Sequence, residues 1–494
     1  GKIHYQYEYR KGDIIAYTFY DKEGVVIAEE RKKGGEFYYK SYSPYGKINS
    51  EGLYDIKGGK VGEWKFYNSH GLLSDKGNYD DDKLHGENRS YYPNGNLLSK
   101  SPYVNDTLNG YYAEYHINGK IKSQGWYKDG QQHGEWRTHA PDGTVTAINY
   151  LHKGQLHGEQ IFFSGKGIKK SVSIYDFGTN IKEIIYDKKG QKAFEIPFEP
   201  QDGKYRVKGY HYNQQPSIEY TYLNGIKHGP FTIFDFYGRK KTTGQYLNGN
   251  MHGKWLWFHD NGKVETEANY INGELDGDYI FYYDDGVIDT KYHYLLGNRE
   301  GEIKSFHENG NLYVKANYLN NEYHGRRETY DPEGNLQIVR FYEHGRLMGY
   351  SYLDSESNEL PMIPIENETG NIVSYYSNGN ISREMEYKYG VLTNEFKEYY
   401  FLGNLWEEAF FVEGEYEGKR IEYFPDGQAK SERVYELGLL NGVSREYFKN
   451  GTLKKEVNYL FDVKEGVSKT YNQDGKLQKE ETYFNDSIIS SSSM

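Results

Sequence analysis

The sequence contains no cysteine, and only 12 prolines and 5 methionines among 494 residues. Without thiols there are no disulfides, no cysteine nucleophile and no thiolate metal site. No apolar run approaches the ~18–20 residues that a membrane-spanning helix needs. Charge of one sign is missing too. The 60 basic and 72 acidic residues, net −12, are interspersed rather than blocked. Nucleic acid requires a positive face to meet phosphates, and anionic lipid requires the same, so neither partner is expected. No Gly-x-Ser-x-Gly elbow, His-Glu-x-x-His, phosphate loop or dinucleotide fingerprint occurs. Ser164-Gly165-Lys166-Gly167 reads as a hairpin turn. No cofactor and no enzymatic activity are expected.

What the chain does have is tyrosine and glycine, 55 and 57 residues. Glycine exceeds its usual ~7%, and an aromatic fraction of 17% is too high for disorder. Tyr favours strands and Gly favours turns, so the composition reads as β-sheet with many turns.

A 24-residue repeat dominates, with roughly twenty copies. Units begin at Gly62, Gly86, Gly110, Gly134 and Gly158, then at Gly229, Gly253, Gly277, Gly301 and Gly325, then at Gly370, Asn394, Gly418, Gly442 and Gly466. Counting the first residue as zero, position +9 is Gly in all fifteen, among them Gly71, Gly95, Gly119, Gly143, Gly262, Gly310, Gly427 and Gly451. Position +5 is Tyr or Phe in fourteen, as at Tyr67 and Tyr91, and +17 in fourteen, as at Tyr270 and Tyr435. Asn-Gly or Asp-Gly between aromatic-rich runs, as at Asn94-Gly95, is a strong hairpin signal. Each unit is therefore expected to be strand, tight turn, strand. A second, looser turn, as in Lys153-Gly154-Gln155-Leu156-His157-Gly158, joins units. The aromatic positions should stack into ladders.

The regular blocks cover 62–181, 229–349 and 370–486. Residues 1–61 hold irregular units that cap the array. Residues 182–228 are degenerate, with Tyr210, Tyr222 and Gly225 keeping register. Residues 350–369, with Pro361 and Pro364, are a shortened unit, and 487–494 a Ser-rich tail expected to fray. Aliphatic residues are too few for a second layer along the whole chain. The expected fold is all-β: tandem hairpins in one elongated, twisted, single-layer antiparallel sheet. Forty strands at ~4.8 Å would reach on the order of 190 Å before twist shortens them.

Candidate chemistry is thin. His85, His133, His157, His228, His252 and His324 recur before unit starts. Successive units lie ~10 Å apart, too far for one metal ion with ~2.1 Å bonds, so these are expected to cap backbone groups. Asp80-Asp81-Asp82 and Asp284-Asp285 lack calcium-loop spacing and read as solvated turns. Trp64, Trp126, Trp136, Trp255, Trp257 and Trp406 could stack on sugars or anchor proteins; the favoured reading is that they pack on neighbouring hairpins.

Units such as Gly253-Lys-Trp-Leu-Trp-Phe-His-Asp-Asn-Gly262, followed by Asn269-Tyr270-Ile-Asn-Gly273, resemble the MORN repeat, most closely its bacterial variant. The resemblance covers roughly 62–486. It implies tandem hairpins in a twisted sheet and a scaffold or interaction role. Bacterial members often carry an antitoxin label, and long arrays resemble cell-envelope proteins of Bacteroidota-like organisms. Asp106-Thr107-Leu108 and Asp486-Ser487-Ile488 look like the Bacteroidota O-glycosylation motif, with Thr107 and Ser487 as acceptors. The resulting expectation is a non-catalytic scaffold that binds protein partners in a multi-subunit envelope complex. It places the chain in the periplasm or at the cell surface of a Gram-negative bacterium. The alternatives are a glycan-binding module using aromatic rows and a cytoplasmic antitoxin-like inhibitor.

Overall fold

The computed structural model describes residues 3–68, 70–197, 204–211, 213–224 and 226–493. Gly225, expected to keep register, lies outside them. The chain divides into two compact units, Gly1–Gly178 with Ile185–Lys192, and Thr179–Ile184 with Ala193–Met494. Among the described residues every regular element is an antiparallel strand except the 3-10 turn Glu366–Glu368.

In unit 1, strands Tyr5–Arg10, Asp13–Tyr20 and Val26–Arg31 form a small sheet. A long sheet opens at Phe37–Tyr42 and adds strands in chain order through Lys169–Asp176. The small sheet meets the first strands of the long one through an aromatic core of Tyr17, Phe19, Phe37, Tyr39 and Trp64. In unit 2, one sheet runs in chain order from Lys204–Tyr210 to Ile363–Pro364, and another from Gly370–Tyr375 to Ser487–Ser493.

The register repeats from hairpin to hairpin. Gly62 opposes Tyr79, and Gly86, Gly253 and Gly418 oppose Tyr103, Tyr270 and Tyr435. The +17 ring therefore lies beside a glycine that offers no side chain of its own. Position +5 pairs with +11 across a bulge, as in Tyr67 with Leu73. Because strand residues alternate faces, +5 and +17 build two ladders on opposite faces. Tyr79 packs on Trp64 and Phe66, whereas the Tyr67 hydroxyl donates to Glu51 at 2.6 Å.

The two turns exchange the roles expected of them. At +9 only the glycine has positive φ. The Gly95 N–H donates to the Tyr92 carbonyl at 2.9 Å, and the Tyr92 N–H to the Asn96 carbonyl at 2.8 Å. This is the longer hairpin loop that ends in a left-handed glycine. The joining turn is the tight one. Leu247 pairs with Asn250 across two residues, Asn248 and Gly249, at φ 50° and 88°. Two successive positive φ values match the right-handed strand twist.

The all-β tandem-hairpin architecture is what the chain builds, but not as one continuous single layer. The described residues form four sheets, and within unit 2 two of them face each other. Ser382 Oγ donates to the Gln337 carbonyl at 2.7 Å, and Arg340 donates to the Tyr387 hydroxyl at 2.6 Å. Lys430 meets Glu308 at 3.1 Å, and the Tyr237 hydroxyl donates to Glu481 at 2.6 Å. Away from the break, Glu308 and then Tyr237 of the first sheet meet Lys430 and then Glu481 of the second. The second sheet thus runs back along the first from the break at 350–369. There Pro364, which has no N–H, sits in a two-residue strand that ends the first sheet. Aliphatic residues are scarce in total but concentrate beside this break. Ile338, Leu347, Ile372 and Met385 join Phe396 and Phe411 in one core. Farther out, hydrogen-bonded polar groups replace them. The serine tail also departs from expectation. Ser487–Ser493 pairs with Leu477–Phe484, because a backbone ladder needs no particular side chain.

Candidate binding site: stitched rims and an inter-sheet groove

Both rims of the array are stitched from one repeat to the next. On the +9 rim, the +6 side chain reaches the +5 carbonyl of the following repeat. Tyr92 donates to Tyr115 O at 2.7 Å, Tyr283 to Phe306 O at 2.7 Å and Tyr400 to Tyr423 O at 2.8 Å; His259 and His307 make the equivalent bond to Tyr282 O and Tyr330 O. Beside it, the +8 asparagine amide donates to the next +7 carbonyl: Asn118 to Pro141 at 3.0 Å and Asn450 to Gln473 at 3.0 Å. The predicted turn glycines Gly71, Gly95, Gly119, Gly143, Gly262, Gly310, Gly427 and Gly451 all sit on this rim at φ between 78° and 91°.

On the other rim, a +23 acceptor caps the N–H of the left-handed +19 residue in the next repeat. His157, His228 and His324 do this through Nδ1 for Phe177, Asn248 and His344. Glu417 and Glu465 do it for Leu437 and Asn485 at 2.9 and 2.8 Å. His157, His228 and His324 thus hold one position of a backbone-capping series, whereas the Nδ1 of His252 is buried without a hydrogen-bond partner. Among the described residues, no group of three or more His, Asp or Glu could hold a metal ion. The two glycosylation motifs occupy this rim as well. Asp106 and Asp486 are left-handed turn residues whose Oδ1 accepts from Leu84 N at 2.7 Å and Lys464 N at 2.8 Å. Thr107 and Ser487 are the residues that leave those turns. Asp82 and Asp285 cap turn N–H groups of Lys60 and Val287.

Of the tryptophans, Trp64, Trp136 and Trp255 are buried, each ring lying flat on a glycine of the adjoining strand, Gly52, Gly125 and Gly244. Trp257 packs on Trp255. Trp126 is 56% exposed, edge-on to Tyr111. Among the named tyrosines, Tyr91 opposes Leu97, Tyr270 is edge-on to Trp255 and Tyr435 stacks on Tyr416.

Trp406 does something different. It stands between the facing sheets of unit 2, 5.4 Å from the His307 ring, 5.9 Å from Tyr313 and 6.0 Å from Tyr400. It borders a groove made of two adjoining cavities of about 600 and 630 Å³, which share Tyr283, Glu308, Glu422, Phe424, Lys430 and Arg433. The floor is polar and paired. Arg420 grips Glu407 with two bonds of 2.8 and 2.7 Å and approaches Glu422 at 2.9 Å. Burial raises the Glu422 carboxyl, but Arg420 and Arg433 outweigh it and hold it below the usual carboxylate range. Burial pushes the Tyr283 and Tyr400 hydroxyls well above the usual tyrosine value. Deeper still, Arg383 pairs with Glu398, both buried. Sequence reasoning missed this groove. The available signal was charge at inward positions: +13 and +15 hold Ser99 and Ser101 in one block but Glu407 and Arg433 in another.

The family model described as MORN repeat variant matches residues 84–105, 251–272, 275–295, 299–320, 323–344, 368–389, 440–460 and 464–485. Each match spans roughly from one joining turn to the next. No curated protein matches the chain. Among solved structures, the crystal structure of TcdB2-TccC3-Cdc42 is 12% identical over 97% of this chain and 27% of that one, with a TM-score of 0.14. The Photorhabdus luminescens Tc holotoxin pore is 12% identical over 98% and 29%, with a TM-score of 0.13. This chain spans less than a third of the length of either, and likenesses at such scores carry no argument. No helix among the described residues is long and apolar enough to cross a membrane.

Proposed function

We propose that this MORN-repeat protein is a non-catalytic scaffold that holds protein partners in a multi-subunit assembly of a Gram-negative cell envelope. The observation that carries the reading is the stitching of both rims. Side-chain bonds 20 to 23 residues apart tie each repeat to its neighbour, beyond the strand ladder itself. A repeat array draws its stability from such neighbour terms, and added cross-repeat bonds stiffen it against bending. Stiffness serves a brace more than it serves a soluble catalyst.

The test is crosslinking of the tagged chain in intact cells, followed by fractionation and mass spectrometry. Reproducible crosslinks to a small set of envelope proteins in near-stoichiometric amount are expected. Recovery of the chain alone, or from the cytoplasm with a single small toxin, refutes the proposal.

A further inference from the structure

The groove between the facing sheets of unit 2 has a lining unlike that of a structural seam or of a peptide cleft. Neither cavity is lined by any Leu, Ile, Val or Met; the lining is aromatic, acidic, basic and hydroxyl-bearing, with two prolines. A strand-adding peptide needs an open sheet edge and an amphipathic helix needs apolar pockets along its groove; the walls here are sheet faces without aliphatic side chains. Aromatic faces present flat apolar surface beside polar edges. The indole of Trp406 is half-buried between Tyr313 and Tyr400. Around it stand charged groups of both signs that can donate to and accept from hydroxyls.

Charge narrows the ligand further. Six carboxylates face four Lys or Arg side chains in the larger cavity, and four face three in the smaller. That slight acidic excess disfavours a polyanion. One group is left without a partner. Ser431 is 3% exposed, lines the larger cavity, and its Oγ has no hydrogen-bond partner. A buried hydroxyl with no partner loses free energy that a ligand hydroxyl restores. Lys430 crosses the groove to Glu308 at 3.1 Å, with both side chains solvent-accessible, so a ligand can compete for either.

From these features we infer that the groove binds a neutral oligosaccharide. The rings of Trp406 and Tyr313 stack on sugar faces. Glu308, Glu422, Lys430 and Ser431 take the hydroxyls. This site is independent of the bracing role proposed above; either can fail alone.

The full-length chain is titrated by calorimetry with cello-, manno-, xylo- and N-acetylchito-hexaose. A hyaluronan hexasaccharide serves as the anionic counter-probe, and a library of extended peptides as the other macromolecular class. At least one neutral hexasaccharide is expected to bind at one site per chain. Trp406→Ala should weaken it at least about tenfold, the scale of a central aromatic anchor. Glu308→Ala and Lys430→Ala, both at accessible positions, should each weaken it severalfold without changing the circular dichroism spectrum. They carry the test if Trp406→Ala does not fold. Binding by none of the neutral probes, binding that survives the groove substitutions, or binding of peptide or anionic probe in place of neutral sugar overturns the inference.

Discussion

A tryptophan that rests on a glycine of the neighbouring strand makes a prediction whose sign depends on a second residue. Trp136 is 6% exposed, packs on Tyr112 and Tyr127, and donates through Nε1 to Trp126 O at 3.1 Å. A Cβ placed on Gly125 would enter its indole ring. Gly125 lies at a register shift of its strand but not at positive φ, so its backbone accepts a Cβ. Alanine there, with no ring above it, would stabilise by about 0.4–1 kcal/mol through the unfolded chain. With the ring present, overpacking costs about 1–3 kcal/mol, because the indole is pinned by its hydrogen bond and by rings on two strands. Gly125→Ala should therefore destabilise its neighbourhood by about 1–2 kcal/mol. Trp136→Ala should cost about 3–5 kcal/mol. In the double variant the Gly125→Ala penalty should vanish or reverse, a coupling of about 2 kcal/mol. A repeat array opens locally and has no single unfolding temperature. The assay is thus native-state hydrogen exchange read on Ile121–Lys128 and Gln131–His139. Additive penalties would refute the lock. The same cycle applies to Gly52 with Trp64 and Gly244 with Trp255.

Asn118→Ala should loosen one rung by about 1 kcal/mol, since it removes bonds to Pro141 O and from Lys120 N; exchange should accelerate at the +9 rim there and leave distant repeats unchanged. Arg383→Met strands a buried Glu398 and should cost about 3–5 kcal/mol, most of it recovered in Arg383→Met with Glu398→Leu, as judged by urea unfolding of unit 2 exchange signals. Burial holds His307 below its ordinary value, so the folded state resists its protonation. The stability this confers is complete above the unfolded value of about 6.5 and is lost as pH falls through the lower folded value. Protection of the amides near Phe306, measured against their intrinsic exchange rates, should fall below about pH 6.5, and His307→Phe should remove that loss.

The repeat length and the +9 glycines could be read directly, because both are fixed by local chemistry within one hairpin. The turn types were reversed for a physical reason. Asn-Gly is the strongest sign of the two-residue turn, and it occurs at both rims, as Asn94-Gly95 and Asn248-Gly249. What separates the two rims is loop length, set by which residues pair across it. Leu247 pairs with Asn250, whereas the Tyr92 N–H reaches the Asn96 carbonyl. The capping role of His157, His228 and His324, though not of His252, was legible for a related reason. Glu417, Glu465 and His324 differ in charge, but each needs only one lone pair aimed at the same N–H.

The facing sheets were not legible, because the code for them is non-local. A single-layer array needs small or aromatic residues at inward positions. That is what one block has: Ser99 and Ser101 at +13 and +15, and Trp136 at +2 of the second unit after it. Near the break in unit 2 the same positions carry Ile338 and Arg340, then Arg383 and Met385, then Glu407, Arg420 and Arg433. A lone inward arginine is costly to bury, so such residues could have been assigned to water. They are tolerated because the partner charge lies within reach. Arg420 meets Glu407 on the next strand, and Arg383 meets Glu398, while Arg340 finds Tyr387 on the opposite sheet. The sandwich is thus cemented by groups that hydropathy scores as surface. The same polar character that conceals the second layer leaves a groove suited to a hydroxylated ligand, where an aliphatic interface would have closed it.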